Sequence, residues 1–432
     1  MHTPAHHLTT RRQFLRTGVL GGALGWTVPA FLSQTFETLH AAAAGSATGR
    51  DGRILVVMQL AGGNDGLNTL VPYANDHYRK ARPRLGIAAD KVLKINAELG
   101  LHDACAPLKS LYDEGHAAFI QSVGYPNPNR SHFRSTEIWH TATPVGSAQH
   151  GWVGRYFDHA CKGADPTVGV ALSRQSPQVF ANANSLGISI QGGRGGAAAM
   201  MDDESGMYMA GDEADAAGGS IGSSPGMAAQ EIQTVDFLER MAMNAQVGTE
   251  QIARLAKEGK NETAYPNGGL SADLAMVARL IAGGMPTRIY YVSQGGYDTH
   301  RDQPNAHARL LGEFSTSMGA FIKDLKTQGN LDRVTVLTFS EFGRRVAENA
   351  SQGTDHGAAA PAFIFGGKIS PGLLGAAPLL GPDQLVNGDI AHQIDFRSLY
   401  ASLLINWLGV PASASPAILG GNFAPLPLGF SV

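Results

Sequence analysis

Apolar runs of strand length alternate with helical stretches along most of this chain, and that alternation constrains its fold more than any other feature. The runs are Ile54 to Leu60, Ala117 to Val123, Val168 to Ala171, Leu186 to Ile190, Arg288 to Val292, Val334 to Phe339 and Ala362 to Phe365. Between them lie helical candidates around Asp103 to Asp113, His132 to Thr141, Gly151 to Cys161, Ala228 to Lys257, Ser271 to Gly283, Ala306 to Lys326 and Phe396 to Trp407. Such alternation predicts an α/β fold with a parallel or mostly parallel sheet, covered by helices on both faces.

A parallel sheet gathers its strand ends along one edge, which gives the residues at those ends a meaning they lack in isolation. Gln59-Leu60-Ala61-Gly62-Gly63-Asn64-Asp65-Gly66 follows the first run, and Gly295-Gly296-Tyr297-Asp298-Thr299-His300 follows the run ending at Val292. Ser340-Glu341-Phe342-Gly343 follows Phe339, and Asp355-His356-Gly357 immediately precedes Pro361 to Phe365. Carboxylates and imidazoles gathered there would form an oxygen and nitrogen ligand set for a metal, the equipment of a metal-assisted hydrolase.

Each motif also has a plainer reading. Asp65 in its glycine-rich segment can be a turn residue. Asp298 and His300, two apart beyond a strand, can both turn toward one ion, or can be a helix cap and a surface histidine. Glu341 at an apolar strand end needs a metal or an ion-pair partner, and Arg344 is close enough in sequence to be that partner. His356 can simply occupy a turn. Ser131, in Asn129-Arg130-Ser131-His132-Phe133-Arg134, opens a helical pattern where free N–H groups favour an anion, so it is a candidate nucleophile or an ordinary N-cap. Arg130 and Arg134 are candidates to hold a phosphate or sulfate, and His132 to move a proton. Two Gly-x-Ser-x-Gly matches, Gly218 to Gly222 and Gly222 to Gly226, have no strand before them and so lack the elbow of a serine esterase. No Walker loop or Rossmann fingerprint follows a strand.

The first residues predict export. Arg11-Arg12-Gln13-Phe14-Leu15 precedes a Gly-rich apolar stretch and the small residues Ala41 to Ala44, the pattern of a cleavable twin-arginine signal over 1–44. The translocase would be a transient partner, the mature domain would span 45–432, and the location would be periplasmic or extracellular with no stable membrane anchor. Removing Arg11, Arg12, Arg16 and Glu37 takes the formal charge from -3 to -3 - 3 + 1 = -5. A mildly acidic chain lacks the footprint of a nucleic-acid binder. Residues 192–226, crowded with Gly, Ala, Met and acids, read as a lid or a flexible insertion. Cys105 and Cys161 can form one bridge or remain two buried thiols, and without Cys-x-x-Cys there is no thiolate zinc site.

The twin-arginine start, Leu60 to Asn68, Arg130-Ser131-His132-Phe133, Gly295 to His300, Ser340 to Arg344 and Gly353-Thr354-Asp355-His356-Gly357 together resemble the exported bacterial domain-of-unknown-function family number 1501, across essentially the whole mature chain. That family is grouped with the alkaline phosphatase and sulfatase superfamily. The resemblance implies a three-layer α/β/α sandwich with metal ligands at Asp65, Asp298, His300, Glu341 and His356 and a nucleophile at Ser131. It departs from the superfamily pattern in the close spacing of Asp298 and His300, and in Glu341-Phe342 where an Asp-His pair is usual. Those departures imply a reduced site, such as a single metal, or a lost activity. Two functions follow as expectations: a hydrolase of phosphate or sulfate esters, acting on a small anionic ester or an envelope glycan or lipid, and a non-catalytic envelope binding protein on the same fold. The ion would be zinc if the histidines dominate, or manganese, magnesium or calcium if the carboxylates do.

Overall fold

A computed structural model of the chain describes residues 52–162, 164–183, 186–190 and 248–430. The expected signal over 1–44, the insertion over 192–226 and most of the helix expected from Ala228 lie outside them. Residues 248–258, at the end of that expected helix, are helical.

All seven expected strands form, as β1 (Ile54–Leu60), β5 (Ala117–Gly124), β6 (Gly169–Leu172), β7 (Ile188–Ile190), β8 (Ile289–Gln294), β9 (Val334–Phe339) and β10 (Ala360–Gly366). With two short additions, β11 (Gly372–Leu374) and β12 (Ile394–Asp395), they build one sheet in the order β11-β5-β10-β9-β1-β8-β6-β7, with β12 also on β5. Central β1 pairs in parallel with β8, Val57 opposite Tyr291, and with β9, Val57 opposite Leu337. Every residue of β1 and β9 is buried, including Gln59, Thr335 and Thr338 within otherwise apolar runs, as strands require when helices cover both faces.

The two faces are legible in β1 itself. Ile54, Val56, Met58 and Leu60 enter one core with residues of α2 (Ala106–Asp113), α5 (Gly269–Ala282) and α6 (Gln303–Thr327). Leu55 and Val57 enter another with residues of α3 (His132–Thr141), α4 (Trp152–Ala160) and α7 (Phe396–Ser402). Alternate side chains of a strand point to opposite faces, so one run supplies both cores and the result is a three-layer sandwich. Cys105 lies in the first core and Cys161 in the second; both are buried and free, which resolves the cysteine question in favour of two thiols.

β10 alone runs against its neighbours, antiparallel to both β5 and β9. Its beginning therefore lies at the edge where the parallel strands end, and this orientation delivers His356, four residues before β10, to the same edge as Asp298 and Glu341. A second sheet of β2 (Leu70–Val71), β4 (Gly100–His102) and β3 (Val92–Lys94) was not expected, because strands of two or three residues carry too little periodicity to register. Helix α1 (Asp76–Ala81), capped by the Asn75 side chain, was missed for the same reason. Among the described residues no helix is long and apolar enough to cross a membrane.

Candidate metal centre

Glycines set the backbone around the centre. Gly62, just past β1, has φ +113°, and a Cβ there would lie 2.5 Å from the Asp298 nitrogen. A Cβ on Gly353 would lie 2.1 Å from the His300 carbonyl carbon, so three loops approach at distances only glycine permits. Arg344 then locks them. Its fully buried guanidinium donates to Gly62 O, to Gly63 O at 2.6 Å, to Tyr297 O at 2.9 Å, to Thr354 O at 2.8 Å and to Asp298 Oδ1 at 2.8 Å.

Three imidazoles face Asp298, and each is anchored from behind through Nδ1. His132 Nδ1 donates to Glu341 Oε1 at 2.9 Å, His300 Nδ1 to Asp355 Oδ1 at 3.2 Å, and His356 Nδ1 to the Arg130 carbonyl at 2.8 Å. With the proton held at Nδ1, each ring turns the lone pair of Nε2 inward. His300 Nε2 and His356 Nε2 each lie 3.0 Å from Asp298 Oδ1 and 2.9 Å from one another. His132 Nε2 is buried, has no aligned hydrogen-bond partner and lies 3.4 Å from Asp298 Oδ2.

Lone pairs facing lone pairs repel, so positive charge beyond the two Arg344 N–H groups that reach Asp298 and His300 has to sit among them, as protons or as a cation. One ligand atom from each of His132, Asp298 and His356 falls within 4.8 Å of the others, and this is the metal-competent group among the described residues. A tetrahedral ion with bonds of about 2.1 Å holds its ligand atoms roughly 3.4 Å apart, so two imidazoles and one carboxylate at this spacing fit a metal and suit zinc, with His300 Nε2 beside His356 but outside that group.

Without an ion, protons take up part of that charge. Asp298 and Glu341 beside His132 raise its pKa to about 9. Burial pushes Asp298 up, but the close imidazoles of His132 and His356 and the Arg344 guanidinium together outweigh it and hold the carboxyl well below the usual range. Burial likewise opposes ionisation of Glu341, whose bonds from His132 and the Gly62 amide, the latter at 2.7 Å, keep it low.

The remaining expected residues lie in different places. Glu341 stands behind His132, with Oε2 turned to Gln59 Nε2 at 3.3 Å, so it orients a ligand instead of facing the ion position. Asp65 is sealed in another ion pair: its Oδ2 accepts from Arg82 Nη1 at 2.6 Å and from Gln303 Nε2 at 2.5 Å, and it does not join the group. Arg134 pairs with Glu137 at 2.6 Å and donates to the carbonyls of Thr143, Pro144 and Gly146, while Arg130 pairs with Asp389, so neither guanidinium is turned to an anion. Arg344 pairs with Asp298, not with Glu341 as its sequence position suggested. Ser131 is exposed at the N-cap of α3 and its hydroxyl makes no capping bond, which leaves the first-turn amides without that acceptor.

Sequence reasoning missed His132 as a candidate ligand, Asp355 as the anchor of His300, and Arg344 as the clasp of the loops. The signal for His132 was present in its place beside Ser131 at a helix start; for Arg344, no local pattern distinguishes a clasp from a surface arginine.

The family described as "Protein of unknown function (DUF1501)" matches residues 53–410. No curated protein matches the chain significantly. Among solved structures, the chain is similar to the PsFucS1 sulfatase from Pseudoalteromonas sp., at 11% identity and a TM-score of 0.36, covering 90% of this chain and 74% of that one. It is also similar to the C-terminal periplasmic domain of EcEptC from Escherichia coli in complex with Zn, at 9% identity and a TM-score of 0.36, covering 73% of each chain. A protein in the alkaline phosphatase superfamily from Vibrio parahaemolyticus shows 10% identity and a TM-score of 0.32, covering 79% of this chain and 67% of that one. At such scores the likeness carries no argument, and the description of the fold rests on the strand order itself.

Proposed function

The chain belongs to the DUF1501 family, and from that premise we propose that it is an exported, metal-dependent hydrolase of phosphate or sulfate esters. The observation that carries the metal is the common orientation of His132, His300 and His356, each tethered at Nδ1 and turned by Nε2 onto Asp298. One ion is the stoichiometry this supports, because the next buried carboxylate, Asp65, is already paired with Arg82. Zinc or a harder ion such as manganese, magnesium or calcium would supply Lewis acidity toward the ester oxygen and lower the pKa of a bound hydroxyl.

The chain's own residues complete the chemistry. We assign the attack on the phosphorus or sulfur of an ester to Ser131, whose exposed hydroxyl is not used for capping. Its oxygen would form the new bond as the ester oxygen departs with the alcohol and takes up the serine proton, and water would then cleave the serine ester, releasing phosphate or sulfate and restoring the hydroxyl. The free amides at the start of α3 favour the anion in place of Arg134. His132 has one nitrogen on Glu341 and the other toward Asp298, which makes it a ligand in preference to a proton carrier. Export is supported by Arg11-Arg12-Gln13-Phe14-Leu15 and the Ala-rich stretch ending at Ala44.

Elemental analysis of the purified chain tests the reading: about one equivalent of metal in the wild type and none in Asp298→Ala is expected. Ser131→Ala should keep the metal and lose turnover of aryl phosphate or sulfate esters. A binding protein on the same fold is the second reading, favoured by the engagement of Arg130 and Arg134 away from the centre. Full metal content with no turnover of any ester would make it the better one.

A further inference from the structure

A row of polar side chains runs from Glu341 into the apolar core that α3 shares with the sheet. Glu341 Oε2 accepts from Gln59 Nε2 at 3.3 Å, Gln59 Oε1 accepts from the Tyr291 hydroxyl at 2.5 Å, and the Tyr291 oxygen lies 3.1 Å from His140 Nε2. All four residues are buried, and Tyr291 belongs to the same apolar cluster as Leu55, Val57 and Trp139.

Secondary structure explains the alignment. Gln59 shares with Val57 the face of β1 turned to α3, and Tyr291 stands opposite Val57 on β8. His132, Thr136 and His140 recur at four-residue intervals and so lie along one side of α3, where Thr136 Oγ1 is 3.5 Å from Gln59 Nε2.

Chemistry gives the row a single direction. Glu341, its pKa held low, is ionised, and a carboxylate only accepts, so the Gln59 amide turns its NH2 to Glu341 and its oxygen to Tyr291. The Tyr291 proton is then committed to Gln59, which leaves the Tyr291 oxygen to accept from His140. Burial pushes the His140 pKa down to about 4, so the ring is neutral and carries its one proton at Nε2. Every donor therefore points toward Glu341, and each bond polarises the next.

Apolar side chains would fill the same space with no polar atom to satisfy. What the row adds is a donor at Glu341 Oε2, while Oε1 takes the Gly62 amide and His132 Nδ1. The Ser340 hydroxyl, 3.4 Å from Oε2, has its single proton on the Leu60 carbonyl at 2.6 Å, so Gln59 is the donor that fixes this oxygen. Without the Tyr291 hydroxyl, Gln59 Oε1 would be a buried acceptor deprived of its donor, which favours movement of the amide away from Glu341. We infer that Gln59, Tyr291 and His140 are positioning residues: they fix the plane of Glu341 and, through it, the orientation of His132. The inference rests on the reading of His132 as a metal ligand.

The test combines zinc affinity with a signal that needs no metal. Tyr291→Phe keeps the ring and removes the hydroxyl; in chelator competition its zinc affinity should fall roughly 10-fold, with the wild-type melting profile retained. In the metal-free chain with isotope-labelled histidine, NMR should show the His132 Nδ1–H resonance in the wild type and its loss to solvent exchange in Tyr291→Phe. His140→Leu should reproduce both changes, and His140→Gln, which restores a donor, should reverse them; this pair decides the matter if Tyr291→Phe fails to fold. Affinity and resonance both unchanged in Tyr291→Phe and His140→Leu, or equal losses in His140→Gln and His140→Leu, overturn the assignment. The two readings separate. A wild type that binds no zinc, with the resonance still lost in Tyr291→Phe, sinks the metal centre and leaves the positioning role; full zinc affinity with an intact resonance in every variant does the reverse.

Discussion

Two carboxylate–arginine pairs lie near the C-terminal edge of the sheet and have opposite characters. In Asp65–Arg82, at 2.6 Å, both side chains are sealed from solvent, and Arg82 also donates to Asn68 Oδ1 and to the carbonyls of Arg345 and Val346. In Asp298–Arg344, at 2.8 Å, the arginine is equally buried but the carboxylate is 47% exposed and faces three imidazole nitrogens. A buried ion pair is thus not one kind of feature. Where side-chain donors close on one oxygen of a sealed acid, as on Asp65 Oδ2, it is a clasp; where imidazole lone pairs face a half-exposed acid, it is a candidate ligand.

The largest expected effect falls on the second pair. Asp298→Ala should abolish stoichiometric metal, read by elemental analysis, while the chain still unfolds cooperatively; retention of the full metal content would break the comparison. Arg82→Met should act in the opposite sense. Leaving Asp65 buried without its partner should cost about 3–5 kcal/mol in urea unfolding, with metal per folded molecule unchanged, and metal loss would mean that the clasp and the ligand set are one unit.

A finer effect sharpens the role of Glu341. Glu341→Gln keeps an acceptor for His132 but removes the charge behind it, and affinity for zinc should drop roughly 10- to 100-fold in a chelator competition. A total loss, as for Asp298→Ala, would make Glu341 a direct ligand.

The smallest effect is a titration. His132 in the metal-free chain should titrate near 9, raised by Asp298 and Glu341. Because its folded pKa is above the ordinary histidine value of about 6.5, its contribution to stability is complete below that value and is lost as pH rises through about 9. Asp298 and Glu341 are shifted downward, so their contribution is present above the ordinary carboxylate range and is lost as pH falls below that range toward their lowered values. Zinc added at pH 8 should displace the His132 proton, visible as proton release in calorimetry across buffers of different ionisation enthalpy; zinc binding with no proton released would refute the ligand role of His132.

Much of this architecture is legible in the residues. The continuous apolar run of β1 announces a strand covered on both faces, and its alternate side chains divide between two cores as the pleat requires. Asp298, His300 and His356 are recognisable as candidates because acids and imidazoles stand at the edges of such runs. Asp65 shows the limit: its Gly-Asn-Asp-Gly setting reads the same whether the acid meets a cation or Arg82, and Arg82 directly follows a short helix with no periodic signal.

Sequence by itself determined the alternating elements, the mostly parallel sheet and the edge along which functional groups gather, because these depend on local periodicity and on the length a crossover needs. Tertiary structure alone decided which groups meet. The antiparallel course of β10 brings His356 to that edge, glycines at 62 and 353 let the loops close to contact, and Arg344 reaches across three of them. Such encounters depend on chain direction and on distances of a few tenths of an ångström between segments far apart in sequence, quantities that no local pattern of residues encodes.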